Sequence, residues 1–190
     1  MQTIQCAGVT VECITGDIAA QPDLEAVVNA ANAWLRPGGG VAGALHRAAG
    51  PELAAACAPL APIRTGQAVI TAGFRLPNPH VIHCLGPVHG QDHPADDLLA
   101  ECHRNALDLA EAARIVSVGF PALSTGAFGF PLGRAADIAI GTVLEAAPAL
   151  RSVRRVRFVL RTESDRAVFQ AALAGAMGQG RIPGEESPEN

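Results

Sequence analysis

The chain has 190 residues, 49% of them hydrophobic, with a formal charge of −4 and a pI near 5.8. That length and apolar content suffice for one domain with its own core, and the acidic balance excludes a protein built to coat nucleic acid. All 14 basic residues are Arg, which excludes a Schiff-base lysine and a Walker lysine. No apolar run approaches the roughly 18 residues of a membrane helix. The first residues lack the basic-then-apolar order of a secretory leader. Five cysteines, Cys6, Cys13, Cys57, Cys84 and Cys102, form no C-x-x-C pair and mostly sit in apolar runs. They read as buried free thiols in a reducing compartment, so a cytoplasmic location is expected.

Residues 3–6 and 9–14 alternate around Ala7-Gly8 and predict an opening strand pair. Residues 26–31 form a short apolar run that reads as a buried strand. Residues 41–49 carry Val41, Ala44, Leu45 and Ala48 at helical spacing, and 51–57 continue as a second short helix. Residues 67–72 and 81–85 read as strands. Residues 95–114 give the clearest helix, with Leu98, Cys102, Leu109 and Ala113 on its inner face and Asp96 and Asp97 suiting its first turn. A strand-like run at 115–120 leads into a second glycine-bearing loop, 121–131. A helix over about 133–147 is stopped by Pro148. Residues 153–160 predict a strand with Arg outside and Val or Phe inside, and 164–177 a last helix. Residues 178–190 are nearly devoid of apolar side chains and are expected to be a mobile tail beyond a domain of 1–177. Strands alternate with helices over most of the chain. The fold class is therefore α/β, with a mixed, mainly parallel sheet covered on both faces.

The order strand, amide-bearing loop, glycines, helix over residues 27–50 aims backbone N–H groups and a helix N-terminus at an anion, usually a phosphate. Gly38, Gly40 and Gly43 satisfy G-x-G-x-x-G, but Asn32 to Pro37 separate the strand from Gly38, and no acidic residue follows Glu52 until Asp92. A nicotinamide-binding domain needs the glycines directly after the strand and a ribose-binding acid about 20 residues on. Asn29 and Asn32 either satisfy loop backbone or, for Asn32, bond a sugar hydroxyl. Asp17 is either a turn residue or an acceptor for an exocyclic amine. Two glycine loops at one sheet edge, the second with Ser124-Thr125-Gly126, suggest a two-sided cradle for a diphosphate. Phe128 either closes over a sugar or belongs to the core. His80 and His83, and His89 and His93, do not make a zinc site: His83 alternates within an apolar strand, and the loop pair is solvated. Ser124 lacks a G-x-S-x-G elbow.

These segments resemble the macro domain family in their order along the chain: Gly16-Asp17-Ile18, then VVNAAN with GGGVAGALHRAAG, then Val81-Ile82-His83 to Gly86-Pro87, then Ala122 to Pro131. The resemblance covers about residues 10 to 176 and is nearest to the MacroD-like branch. It implies a three-layer α/β/α domain that binds ADP-ribose and ADP-ribosylated proteins, needs no cofactor or metal, and acts as a monomer. It implies removal of mono-ADP-ribose from acidic side chains and deacetylation of O-acetyl-ADP-ribose. By the same resemblance, Asp17 accepts from the adenine amino group with Ile18 beside the ring. Asn29 is a further contact, and Asn32 holds the distal ribose as the catalytic residue. Gly39, Gly40, Val41 and Ala42 flank the distal ribose and diphosphate, and Ser124, Thr125, Gly126, Ala127 and Phe128 wrap the diphosphate from the other side. Two positions depart from the MacroD-like pattern. An Asp that helps activate water there is Ala42 here, which keeps open a non-catalytic reader module as the alternative. Arg161 stands where an aromatic often covers the adenine. His46, one turn beyond Ala42, either assists or packs.

Overall fold

The structure, a computed structural model, describes residues 3–178. Its strands are β1 (Thr3–Cys6), β2 (Val9–Thr15), β3 (Ala26–Ala30), β4 (Ala68–Ala72), β5 (His80–Cys84), β6 (Ser117–Phe120) and β7 (Arg155–Leu160). Its α-helices are α1 (Gly40–Ala49), α2 (Pro51–Cys57), α3 (Ala95–Ala112), α4 (Leu132–Ala146) and α5 (Glu163–Gly178). The tail expected beyond the last helix lies outside the described residues.

The strands form one sheet in the order β1-β2-β7-β6-β3-β5-β4. β2, β7, β6, β3 and β5 run parallel, while β1 and β4 pair antiparallel at the two edges. The β1–β2 hairpin turns at Ala7 and Gly8, both at positive φ (48° and 81°). A two-residue hairpin loop of that hand matches the twist of its strands.

The parallel strands are apolar on both faces because both faces are covered. Ala26 and Val28 point into one cluster with α3, α4 and α5, whose largest members include Leu107, Ile140, Phe158 and Phe169. Val27 and Ala31 point the other way, into a cluster with Leu45 of α1 and Leu53 of α2. The result is a three-layer α/β/α arrangement. Leu45 and Leu53 are fully buried, and truncating either to Ala would cost about 2–5 kcal/mol. All five cysteines are buried free thiols.

Two expectations are corrected. The inner face of α3 is Leu99, Cys102, His103, Ala106, Leu107 and Ala110. Leu98 and Leu109 flank it half-buried, and Ala113, past the helix end, is exposed. Small residues and a histidine make this stripe, so a search for large apolar side chains misses it. Nor do all the arginines of β7 point outward. The Arg157 side chain is 12% exposed. It donates to Glu12 Oε1 on β2 at 2.8 Å and to both carboxylate oxygens of Asp23 at 2.8 Å each. This fork ties the turn before β3 to the middle of the sheet, and the Arg157 hydrogen bond holds the Asp23 carboxyl below its ordinary pKa.

The ladder between β3 and β6 contains only Ala26↔Val118 and Val27↔Gly119, whereas β3 stays paired with β5 through Ala30↔Cys84. The sheet therefore opens between β3 and β6 at its carboxyl edge. The chain also reverses its direction of travel across the sheet there, and open α/β sheets hold ligands at that point.

Candidate ligand-binding cleft

The segments leaving the parallel strands build one cleft of about 800 Å³, within the range of small-molecule sites. Residues 16–18 follow β2, Ala30 ends β3 and residues 31–32 follow it, 38–42 open α1, 121, 122 and 124–128 follow β6, and Arg161 and Asp165 follow β7; all line it.

One wall is the start of α1. Gly39, extended at φ −82° and ψ 176°, precedes the helix and offers no side-chain cap, and the first turn has no acidic residue. The amides of Gly40, Val41 and Ala42 belong to the first turn, where a helix has no acceptors of its own. They lie at the positive end of the helix dipole. Gly43 sets how close the glycine loop comes to the helix: a Cβ there would stand 2.3 Å from the Gly38 carbonyl oxygen. Asn32 fixes the loop that leads in. Its Nδ2 donates to the Arg36 carbonyl at 2.8 Å, and its Oδ1 accepts from the Arg36 amide at 3.1 Å. One Nδ2 hydrogen and one Oδ1 lone pair remain for a ligand.

The opposite wall is the loop after β6. The Gly129 amide donates to Gly126 O (3.0 Å), the Phe130 amide to Ser124 O (2.9 Å), and Thr125 Oγ1 to Ala122 O (2.9 Å). These bonds leave the amides of Gly126, Ala127 and Phe128 without a protein acceptor among the described residues. Ser124 is buried, adopts φ +64°, and its Oγ has no protein partner. It presses on Gly86, where a Cβ would lie 2.1 Å from that oxygen. Phe128 is half-buried and packs against the core cluster of α1 and α2.

At one end of the cleft Asp17 accepts the Ala19 amide through Oδ1 at 2.9 Å, leaving its other oxygen available. Ile18, 5% exposed, supplies an apolar surface beside it. Arg161 and Asp165 line this end too, and Arg47 of α1 lines the other wall.

The cleft thus gathers Asp17, Ile18, Asn32, Gly39, Gly40, Val41, Ala42, Ser124, Thr125, Gly126, Ala127 and Phe128. Asn29 is the exception and is corrected. It is 1% exposed, outside the cleft lining, and its Nδ2 lies 3.0 Å from His83 Nδ1. His83 also meets Thr71 Oγ1 at 2.9 Å, so it is a satisfied core histidine linking β3, β5 and β4. Burial, with His46 nearby, pushes its pKa down to about 4. His46 is 6% exposed and outside the lining, and burial lowers its pKa as well. It lies on the buried face of α1.

Sequence reasoning missed Arg47 and Asp165 as cleft residues. Asp165 was accessible by rule, since it lies in the first turn of the helix that follows a parallel strand. Arg47 carried no local signal. Among the described residues, no three His, Cys, Asp or Glu side chains are grouped to hold a metal ion.

This fold and this cleft define a class: an α/β protein whose ligand site lies at the carboxyl edge of a parallel sheet, between two glycine loops. The chain belongs to the macro domain family, whose model matches residues 28–139. It is 47% identical to a macro domain-containing protein of Chlorobaculum tepidum, over 87% of this chain and 96% of that one. It is 44% identical to a Klebsiella pneumoniae protein named O-acetyl-ADP-ribose deacetylase, over 86% and 95% of the two chains. The solved macrodomain of Oceanobacillus iheyensis with ADP superposes with a TM-score of 0.89 at 37% identity, covering 94% of this chain and 97% of the other.

Proposed function

We propose that this macro domain binds ADP-ribose and hydrolyses mono-ADP-ribose esters on acidic side chains. The observation that carries the reading is the pair of facing amide banks, at Gly40 to Ala42 and at Gly126 to Phe128, across one cleft. A diphosphate carries two anionic groups in a row, one for each bank. Each charge-assisted bond from a backbone amide is worth about 1.5–3 kcal/mol. The Oceanobacillus neighbour was solved with ADP, which supports a nucleoside diphosphate as the ligand. The free oxygen of Asp17 takes the adenine amine, Ile18 lies beside the ring, and the exposed Arg161 guanidinium stacks on it. Asn32 holds the distal ribose.

In the reaction, a water held between Asn32 and the ligand's own phosphate attacks the anomeric carbon of the distal ribose. The bond from that carbon to the ester oxygen breaks, the side-chain carboxylate leaves, and the water's oxygen stays on the free ADP-ribose. Cleavage at the anomeric carbon builds positive charge on the ribose, which the neighbouring phosphate oxygens offset. O-acetyl-ADP-ribose, the substrate in the Klebsiella relative's name, carries an ester on the same sugar, so its deacetylation fits the same cleft.

A second reading is a reader that binds without turnover. Ala42 favours it, because it stands where MacroD-like hydrolases carry Asp, and neither glycine loop contains a carboxylate. Calorimetry with ADP-ribose, followed by incubation with a glutamate-linked mono-ADP-ribosylated protein, separates the two. The hydrolase predicts tight binding and release of free ADP-ribose. Binding without release makes the protein a reader, and absence of binding removes both readings. In the hydrolase, Asn32→Ala abolishes release while circular dichroism stays unchanged; full activity in that variant would sink the mechanism.

A further inference from the structure

The loop that carries Asn32 to the cleft also presents an unusual surface. Trp34, the chain's single tryptophan, is 57% exposed on it. The Arg36 guanidinium sits over the Trp34 ring, 5.7 Å from its centroid. The loop beneath is fixed. Asn32 engages both backbone groups of Arg36, the Ile63 amide donates to the Ala33 carbonyl at 2.9 Å, and Leu35 is 1% exposed. Trp34 and Arg36 are therefore held out on a rigid support, which lowers the ordering cost of a contact made there. Tryptophan and arginine are also the side chains that most often anchor interfaces.

The segment that carries the platform has charge of one sign. From Asn32 to Gly50 the chain carries Arg36 and Arg47 and no carboxylate, on a protein of net charge −4. Neither arginine has an ion-pair partner among the described residues. The N-terminus of α1 adds to the same positive field.

We infer that the Trp34–Arg36 platform docks the polypeptide that carries the modification, and selects segments with carboxylates flanking the modified residue. The inference rests on the ADP-ribose reading above, in which Asn32 marks the distal ribose. The modified side chain then leaves the cleft alongside this loop. A nucleic acid strand would also stack on an aromatic and an arginine. The acidic net charge of the chain disfavours a polyanionic strand, and two arginines on a segment without carboxylates suit a short acidic peptide.

The test is calorimetry with four ligands: free ADP-ribose, two peptides bearing ADP-ribose through a hydrolysis-resistant amide linkage, and a 5′-ADP-ribosylated oligonucleotide. The peptides differ only in having Asp and Glu or Asn and Gln around the linkage. The wild type is expected to bind the acidic peptide roughly ten-fold more tightly than free ADP-ribose or the neutral peptide, the scale of one interface anchor. Trp34→Ala and Arg36→Glu should each remove most of that increment and leave free ADP-ribose affinity unchanged, since the Asn32 clamp uses only the backbone of Arg36. An increment that is absent, shared equally by the neutral peptide, or unmoved by both variants overturns the inference alone. An increment confined to the oligonucleotide overturns it in favour of a nucleic acid partner. Failure of the wild type to bind free ADP-ribose overturns the ligand reading, and this inference with it.

Discussion

Gly43 shows how a single hydrogen in place of a methyl group shapes the cleft. Inside a helix, Gly→Ala ordinarily stabilises by about 0.5–1 kcal/mol, because the unfolded chain loses freedom. Here the added carbon would sit 2.3 Å from the Gly38 carbonyl oxygen, which is backbone and cannot rotate away. Gly43→Ala should therefore destabilise, by the roughly 1–3 kcal/mol of an overpacked site. It should also move the glycine loop off the helix N-terminus and weaken ADP-ribose binding at least about ten-fold. Thermal melts and calorimetry on the one variant check both parts, and a variant that is more stable with unchanged affinity refutes the account. Gly86→Ala tests the contrast on the other wall. Its new carbon meets Ser124 Oγ at 2.1 Å, a hydroxyl with no protein partner that can turn aside, while the Ser124 backbone nitrogen stands off at 3.7 Å. Gly86→Ala should therefore cost less stability and less affinity than Gly43→Ala.

At the scale of elements, the cleft is two amide-bearing segments held apart by the sheet that carries them. α1 is anchored by buried Leu45 and Ala49, and the β6 loop is anchored by buried Phe130 and Leu123. If the diphosphate supplies most of the binding energy, inorganic pyrophosphate should compete with ADP-ribose and raise the melting temperature by itself. Adenosine, which in the proposed binding mode reaches only the Asp17 end, should do neither at equal concentration. The reverse ranking would place the energy at the base. These elements were legible in the sequence because their signals are local: a four- to six-residue apolar run, glycines, then helical spacing. Signals that depend on the third dimension were not. Asn29 and Asn32 are both amides near a strand end. The alternation of β3 sends Asn29 into the α1-side core against His83 while Asn32 reaches the cleft. The inner face of α3 was misassigned because Ala106, Ala110 and His103 pack there under larger neighbours. Arg47 joins the site only because α1 lies along the cleft, which no stretch of chain records.

The whole molecule has a pH response that follows from its buried histidines: His46, whose pKa burial lowers, and two with the larger shifts on opposite faces of the sheet. His83 lies in the layer under α1 and α2, and His103 in the layer under α3, stacked on Phe120 at 5.3 Å. Burial pushes each pKa down to about 4, against about 6.5 in the unfolded chain. A group with a depressed folded pKa binds fewer protons folded than unfolded. Its stabilising contribution is fully present above pH 6.5 and is lost as pH falls from 6.5 toward 4. Each histidine then accounts for on the order of 3 kcal/mol across that window. The lowered Asp23 and Glu111 carboxyls act below it. Asp23 is held down by Arg157. Glu111 is penalised by burial but more than compensated by the amides of Val153, Arg151 and Ser152. The melting temperature should therefore begin to fall near pH 6, before carboxylates titrate, and continue falling without a plateau into the acid range. Exchanging His103 for Phe keeps a ring against Phe120 and removes one titrating group. That variant should lose a large part of the decline between pH 6.5 and 4, leaving the share of His83 and His46, while matching the wild-type slope below it. A wild type whose stability is flat from pH 7 to 4.5 would mean that these histidines gain protons without leaving the fold, and that water reaches both layers.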